Sequence, residues 1–340
     1  MQIQNKLQPL QGLRALATIG IFLFHAGFLP QGSFPVTLFF MLSGFLMYYS
    51  KCDRIETRSF VSWIRQYVWK KLKQFYPLHL ITFLIACFVG RVWLQPLHET
   101  VIGALLNLLL INPFFPKYAM VFNGLSWYLA IAIFLYFIGY FLLVCSKKIK
   151  RIRLCILILL MIITVVNVIS RFVSELYLYS NPVYRILDFW LGIMIAKLFI
   201  EEKKNGLQFA RPNLIEFGIV GVFLIQYVLS LIIKPGPGYY SVLFSASLFV
   251  FSMGQGIVSV VLSSKIFDII ARYSFEFYMI HELSLRVFRK VFADVSLPYP
   301  ILLLVIAVPS LAVSVAFASF FKKLFGTKRK NTKFEKSADP

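Results

Sequence analysis

Apolar residues gather along this chain into long runs separated by short polar breaks. Ten such segments lie at 10–29, 35–50, 75–93, 126–145, 154–170, 183–200, 213–233, 240–262, 268–288 and 301–321. Their lengths approach the ~20 residues that a helix needs to cross a bilayer. A shorter run, ETVIGALLNLLLIN at 99–112, is too short to cross and reads as a re-entrant or interfacial helix. No linker, internal repeat or low-complexity stretch interrupts the series. The expected architecture is an all-α polytopic membrane protein of about ten transmembrane helices plus that short helix. Residues 1–321 would form one domain and 322–340 a basic cytoplasmic tail.

Composition agrees with this pattern. The chain is 59% hydrophobic and 14% charged, against roughly 45–50% and about 25% for soluble domains. It holds 36 Phe, 17 Tyr and 5 Trp beside only 14 acidic residues. A soluble enzyme, a nucleic-acid-binding module and a disordered scaffold are excluded on these grounds. The net charge of +21 then reads as basic loops held at an anionic inner leaflet. Loop 51–74 carries Lys51, Arg54, Arg58, Arg65, Lys70, Lys71 and Lys73, and loop 146–153 carries Lys147, Lys148, Lys150, Arg151 and Arg153. The tail carries Lys322, Lys323, Lys328, Arg329, Lys330, Lys333 and Lys336. Ten crossings, with 99–112 not crossing, bring all three to one side and both termini into the cytoplasm. Arg286, Arg289 and Lys290 are the exception, at the outer end of the ninth segment. The opening MQIQNKLQPLQGLRA lacks a small-residue cleavage site and is not read as a signal peptide. Cys52, Cys87, Cys145 and Cys155 form no C-x-x-C pair. They read as buried small apolar residues, with no disulfide or metal site expected.

Ionisable groups inside such segments cost about 2.5–3.5 kcal/mol each on insertion scales, so they face partners or cavities. Arg14 and His25 share the first segment, eleven residues apart. Eleven steps of ~100° leave about 20° after three turns, so both lie on one helix face, about 16 Å apart along the axis. In the plain reading Arg14 reaches lipid phosphate and His25 bonds a neighbouring helix. In the functional reading they form a polar track, with an anion held at the cytoplasmic end and a proton acceptor deeper in. Arg185 and Asp188, at i and i+3 in the sixth segment, can pair internally. In the ninth segment Ser274, Tyr278 and His281 share a stripe, while Glu276 and Glu282 are expected to point elsewhere. An interhelical hydrogen-bond network is the plain reading there. Two histidines and a carboxylate at similar depth would be a proton-handling layer.

Residues 10–27, with ten residues between Arg14 and His25, and the segment Leu38-Phe39-Phe40-Met41-Leu42-Ser43-Gly44-Phe45 together resemble the opening of the acyltransferase-3 family. Phe75-Tyr76-Pro77-Leu78, Ser126-Trp127-Tyr128-Leu129, Arg185 to Gly192, and the Tyr273-Ser274…Tyr278…His281 stripe resemble later family segments in the same order. The sequence departs from the family pattern in three places. Thr37 stands where Asp is frequent. Lys71 and Gln74 occupy the positions of a basic R-x-x-R. Ala130, Ala132 and Ile133 stand where one branch carries acidic residues.

The resemblance implies an integral O-acyltransferase of the bacterial inner membrane. It would move an acyl group, most simply acetyl from acetyl-CoA, to a hydroxyl of a cell-surface or lipid-linked polysaccharide. It implies that His25 acts as base or transient acyl carrier and that Arg14 holds the donor or the carbonyl oxygen. His281 and Asp188 are further members of the same layer. Lys70, Lys71 and Lys73 would join Arg14 in binding the polyanionic donor. Two other readings stay open: a glycolipid transporter or flippase lined by the same polar residues, and a membrane acyltransferase of another fold.

Overall fold

The computed structural model describes residues 7–32, 34–57, 59–90, 96–172, 178–233 and 235–325. Residues 1–6, Arg58 and the tail cations Lys328, Arg329, Lys330, Lys333 and Lys336 lie outside the described residues, as do 91–93 of the third expected span. Among the described residues there is no strand. The helices are α1 (Gln8–Ala26), α2 (Phe34–Lys51), α3 (Phe60–Gly90), α4 (Leu97–Leu108), α5 (Ser126–Lys148) and α6 (Ile152–Ile169). They continue with α7 (Pro182–Lys204), α8 (Pro212–Ile233), α9 (Ser241–Met253), α10 (Ile257–Leu262), α11 (Lys265–Val291) and α12 (Tyr299–Phe325).

The polarity of the bundle is inverted relative to a soluble protein. On α8 the residues Phe217, Leu224, Ile225, Val228 and Ile232 are exposed, while its buried residues are Glu216 and Ser230. α6 and α12 expose similar apolar rows. Lipid rather than water suits such a surface. Five helices, α3, α5, α6, α8 and α12, are long and apolar enough by themselves to cross a membrane. α1, α2, α7 and α11 pack against the others over much of their length and carry the polar groups described below. A helix wrapped by protein need not match lipid on every face.

α2 is the central helix, and α7 crosses it at backbone contact. A Cβ on Gly44 would lie 2.0 Å from the Phe189 carbonyl oxygen, and one on Gly192 would lie 2.0 Å from that of Met41. Each helix presents a glycine to the other's backbone, as membrane helix pairs do when dispersion must replace the hydrophobic effect. The glycine of the Leu-Ser-Gly-Phe motif is therefore a packing requirement.

The structure differs from the sequence reading in three places. First, the expected span 240–262 is two helices, α9 and α10. Gly254 adopts φ +64° and ends α9. The freed N–H groups at the start of α10 find an acceptor in buried Glu216, which takes hydrogen bonds from Gly256 N (2.9 Å), Ser259 N (2.9 Å) and Ser259 Oγ (2.5 Å). Broken backbone at membrane depth requires such a partner.

Second, the expected basic loop 51–74 is mostly helix. α3 begins at Phe60, capped by Ser59, and passes through a π-turn at Ile64–Val68. Trp63 anchors this extension, fully buried and donating from Nε1 to Tyr136 O at 2.9 Å. Third, the cysteines differ in burial. All four are free, but only Cys52 is buried, Cys87 and Cys155 are half-buried and Cys145 is exposed. On the outside of a membrane helix an exposed thiol meets acyl chains.

The ambiguous 99–112 stretch contains the 12-residue α4. After it the chain turns back, and Lys117 pairs with Glu99 near the start of α4 at 2.7 Å. Buried His79 holds this hairpin, its Nε2 3.1 Å from Asn107 O, and Asn107 Nδ2 donates to Ser126 Oγ at 2.8 Å. Elsewhere the basic ends gather. Lys147 pairs with Glu56 at 3.2 Å, Arg153 pairs with Glu202, and Lys197 caps the end of α5 through Ser146 O and Ile149 O. At the opposite end Arg289 donates to His25 O and Lys290 to Val89 O. These cations, out of place by the charge rule, sit on the carbonyl ends of α1 and α3, where helix dipoles are negative.

Candidate functional site

Two polar centres follow one another along α1 and α11. The lower is a cavity of 250 Å³ at the basic end of the bundle. Arg14, Lys71, Arg272 and Lys322 line it, with Glu276 as the carboxylate and Tyr278 also in its wall. Lys322 and Arg272 already have acidic partners: Lys322 lies 3.7 Å from Glu276, and Arg272 pairs with Asp268. Arg14 and Lys71 have none among the described residues. Arg14 makes one long hydrogen bond, 3.4 Å to Gln11. Lys71 lies over the rings of Phe75 (5.4 Å) and Tyr136 (5.9 Å). Arg14, Lys51 and Lys70 all repel it electrostatically. Two unpaired cations facing one cavity form a site for an anion, whose arrival would relieve that repulsion. Lys70 and Lys73 are exposed and do not line the cavity, Lys73 lying over Trp69 at 5.3 Å.

The upper centre is an imidazole pair. His25, in the last turn of α1, has its ring centroid 5.1 Å from that of His281 on α11. His281 is fully buried, stacked on Phe277 at 5.5 Å and edged by Phe22. Its Nδ1 lies 2.9 Å from Tyr278 O and 3.3 Å from Phe277 O. Carbonyl oxygens only accept, so Nδ1 carries the hydrogen and Nε2 keeps its lone pair. That Nε2 is buried and without a partner among the described residues. An imidazole with its tautomer fixed in this way presents its other nitrogen as a hydrogen-bond acceptor. Glu282, Arg289 and Arg286 are charges that act on His25, and Glu282 is itself paired with Arg286 at 2.8 Å.

The structure therefore brings His25 and His281 together and, in a separate centre, Arg14 and Lys71. It does not bring the histidines to the cavity, which ends at Tyr278. The stripe read from the sequence joins the two centres: Ser274 and Tyr278 line the cavity and His281 follows one turn above. Asp188 sits elsewhere, fully buried on α7 with its Oδ2 2.5 Å from Arg185 Nη1. Arg185 also donates to Thr37 Oγ1 (3.1 Å) and to Tyr179 O (2.8 and 3.0 Å). Thr37 thus serves as a neutral acceptor for a guanidinium that Asp188 already neutralises, which explains how the position does without Asp.

Some site residues escaped the sequence reading. Glu276 was expected to point away, yet it lines the cavity and faces Lys322. Lys322 was expected in the basic tail, and Arg272 was given no role; both line the cavity. Tyr128 and Tyr136, together with Ser43, add hydroxyls to the cavity wall. The aromatic start of α5 hinted at Tyr128 alone.

A helical bundle of inverted polarity, with a cationic cavity below a histidine pair of which His281 is fully buried and His25 half-buried, defines an integral-membrane protein. The model for the acyltransferase-3 acyltransferase domain matches residues 8–319, nearly the whole chain, and the protein belongs to that family. It is similar to acyltransferase MdmB of Streptomyces mycarofaciens, with 30% identity over 235 residues. That match covers 56% of this chain, and the chain spans only 57% of the relative's length. No solved structure matches the chain significantly.

Proposed function

We propose that this protein is an O-acetyltransferase of the bacterial inner membrane, moving acetyl from acetyl-CoA to a hydroxyl of a cell-surface or lipid-linked polysaccharide. The observation that carries this reading is the pairing of the two centres: unpartnered Arg14 and Lys71 at a cavity, and above it His25 beside His281, whose tautomer is fixed. The donor's phosphates suit the lower centre, with Lys70 and Lys73 as exposed charges on the same stretch of α3 that raise its local concentration. Its thioester arm is long and flexible and would follow the Ser274–Tyr278 stripe upward. The about 16 Å between Arg14 and His25 is then a length for that arm to span. With the basic ends in the cytoplasm, the chain crosses ten times, with α9 and α10 together making one crossing, α4 making none, and both termini inside.

The chemistry balances on this chain's own groups. The sugar hydroxyl attacks the thioester carbonyl while His25 accepts its proton, with His281 beside it. The ester C–O bond forms, the C–S bond breaks, and the leaving thiolate takes up the proton. The same geometry serves a two-step route in which His25 carries the acetyl group transiently. Asp188 supports this indirectly, by keeping Arg185 compensated in the helix that packs on α2.

The test is acetyl transfer from radiolabelled acetyl-CoA to the host glycan in proteoliposomes, with the O-acetyl content of the cell surface measured in parallel. His25→Ala should abolish transfer, and Arg14→Ala should raise the KM for acetyl-CoA. Glycan movement across the bilayer without label transfer would replace the enzyme with a flippase. Normal transfer in both variants would remove these residues from the mechanism.

A further inference from the structure

The acyl-transfer reading leaves one group unassigned. A tetrahedral intermediate carries negative charge on the former carbonyl oxygen and needs a donor within about 3 Å. Arg14 cannot serve beside His25, because eleven residues of helix separate them by about 16 Å. Arg286 and Arg289 are engaged, the first by Glu282 and Phe122 O, the second by His25 O. Tyr278 remains. Its ring lines the cavity and lies 5.9 Å from the ring of His281 and 5.2 Å from that of Tyr128. The residue is almost wholly buried, and its hydroxyl has no hydrogen-bond partner among the described residues. Arg185 and Glu282 act on that hydroxyl from a distance without bonding it. A buried hydroxyl without a partner is costly to a fold, and its retention calls for a reason outside the resting structure.

We infer that Tyr278 is a catalytic residue whose hydroxyl donates a hydrogen bond to the thioester carbonyl oxygen as it becomes an oxyanion. The attacking hydroxyl adds to the carbonyl carbon and yields its proton to the histidine pair. The carbonyl π electrons move onto oxygen, where Tyr278 Oη–H holds them. Collapse restores C=O and expels the thiolate, and Tyr278 keeps its own proton throughout. Tyr278 lines the cavity and its ring lies within 5.9 Å of that of His281, so a thioester that advances from one centre to the other passes beside it. This inference rests on the acyl-transfer reading and adds the oxyanion donor to it.

The experiment is Tyr278→Phe in the full-length protein in proteoliposomes, assayed with radiolabelled acetyl-CoA and host glycan. The expected result is a kcat lower by about 10²- to 10³-fold, with the KM for acetyl-CoA within twofold of the wild type. Stability is a second readout. Because the hydroxyl makes no bond in the fold, its removal should leave the detergent melting temperature unchanged or higher. Tyr128→Phe, which removes a hydroxyl from the donor cavity alone, should act on KM rather than kcat. Wild-type kcat in Tyr278→Phe, a loss confined to KM, or a kcat loss that tracks a fall in melting temperature would overturn the assignment. If the wild-type protein itself transfers no acetyl, the functional reading fails, not this one alone.

Discussion

The contact between α2 and α7 makes a sharp demand on two glycines. Adding one carbon to Gly44 brings it to 2.0 Å from Phe189 O, and adding one to Gly192 brings it to 2.0 Å from Met41 O. Ordinary contact begins near 3.4 Å, so each alanine forces the helices apart by roughly 1.4 Å (3.4 − 2.0). The obstructing atoms belong to backbone, so no rotamer change relieves them. Overpacking of this kind costs about 1–3 kcal/mol, and more where two backbones collide. The displacement also reaches the chemistry. α2 carries Phe39 and Ser43 of the cavity wall, and α7 carries the Arg185–Asp188 pair. A misplacement of about 1 Å at a reacting centre costs on the order of 10²-fold in rate. Gly44→Ala and Gly192→Ala should each lower the melting temperature in detergent by several degrees and cut acetyl transfer per folded molecule by about that factor. Gly218→Ala and Gly221→Ala on α8 meet nothing within 4 Å. They should be neutral or stabilising, since alanine is the better helix former by about 1 kcal/mol. Unchanged melting in the first pair, or a loss in the second, would refute the packing argument.

Two further expectations follow from the buried charges. Asp188→Ala leaves the Arg185 guanidinium uncompensated in a fully buried position and should cost about 3–5 kcal/mol. The double variant Arg185→Met/Asp188→Ala should recover much of that loss in thermal unfolding, and a double variant no better than the single would count against the pair. Lys71→Ala removes an unpartnered cation from the cavity and should raise the KM for acetyl-CoA several-fold. Lys73→Ala, whose ammonium lies over Trp69 outside the cavity, should change it little. Equal effects would mean that the donor binds at the exposed face of α3 rather than in the cavity.

The primary sequence carried the class of this molecule and much of its site. Apolar runs of bilayer length set an all-helical bundle, because only intrahelical hydrogen bonds satisfy the backbone in lipid. The spacing of Arg14 and His25 put both on one face of α1 because helical geometry is local. The i, i+3 spacing of Arg185 and Asp188 likewise foretold their ion pair. The Ser274, Tyr278 and His281 stripe was legible for the same reason. What the sequence could not carry is what depends on distant segments meeting. The approach of His281 to His25 joins residues 256 positions apart. The choice of Arg14 and Lys71 as the unpartnered cations depended on which acids folded beside the others. The break at Gly254 was hidden because hydropathy does not register a carboxylate supplied by α8. Local periodicity fixes which way a side chain faces along its own helix, and packing against remote helices decides what it finds there.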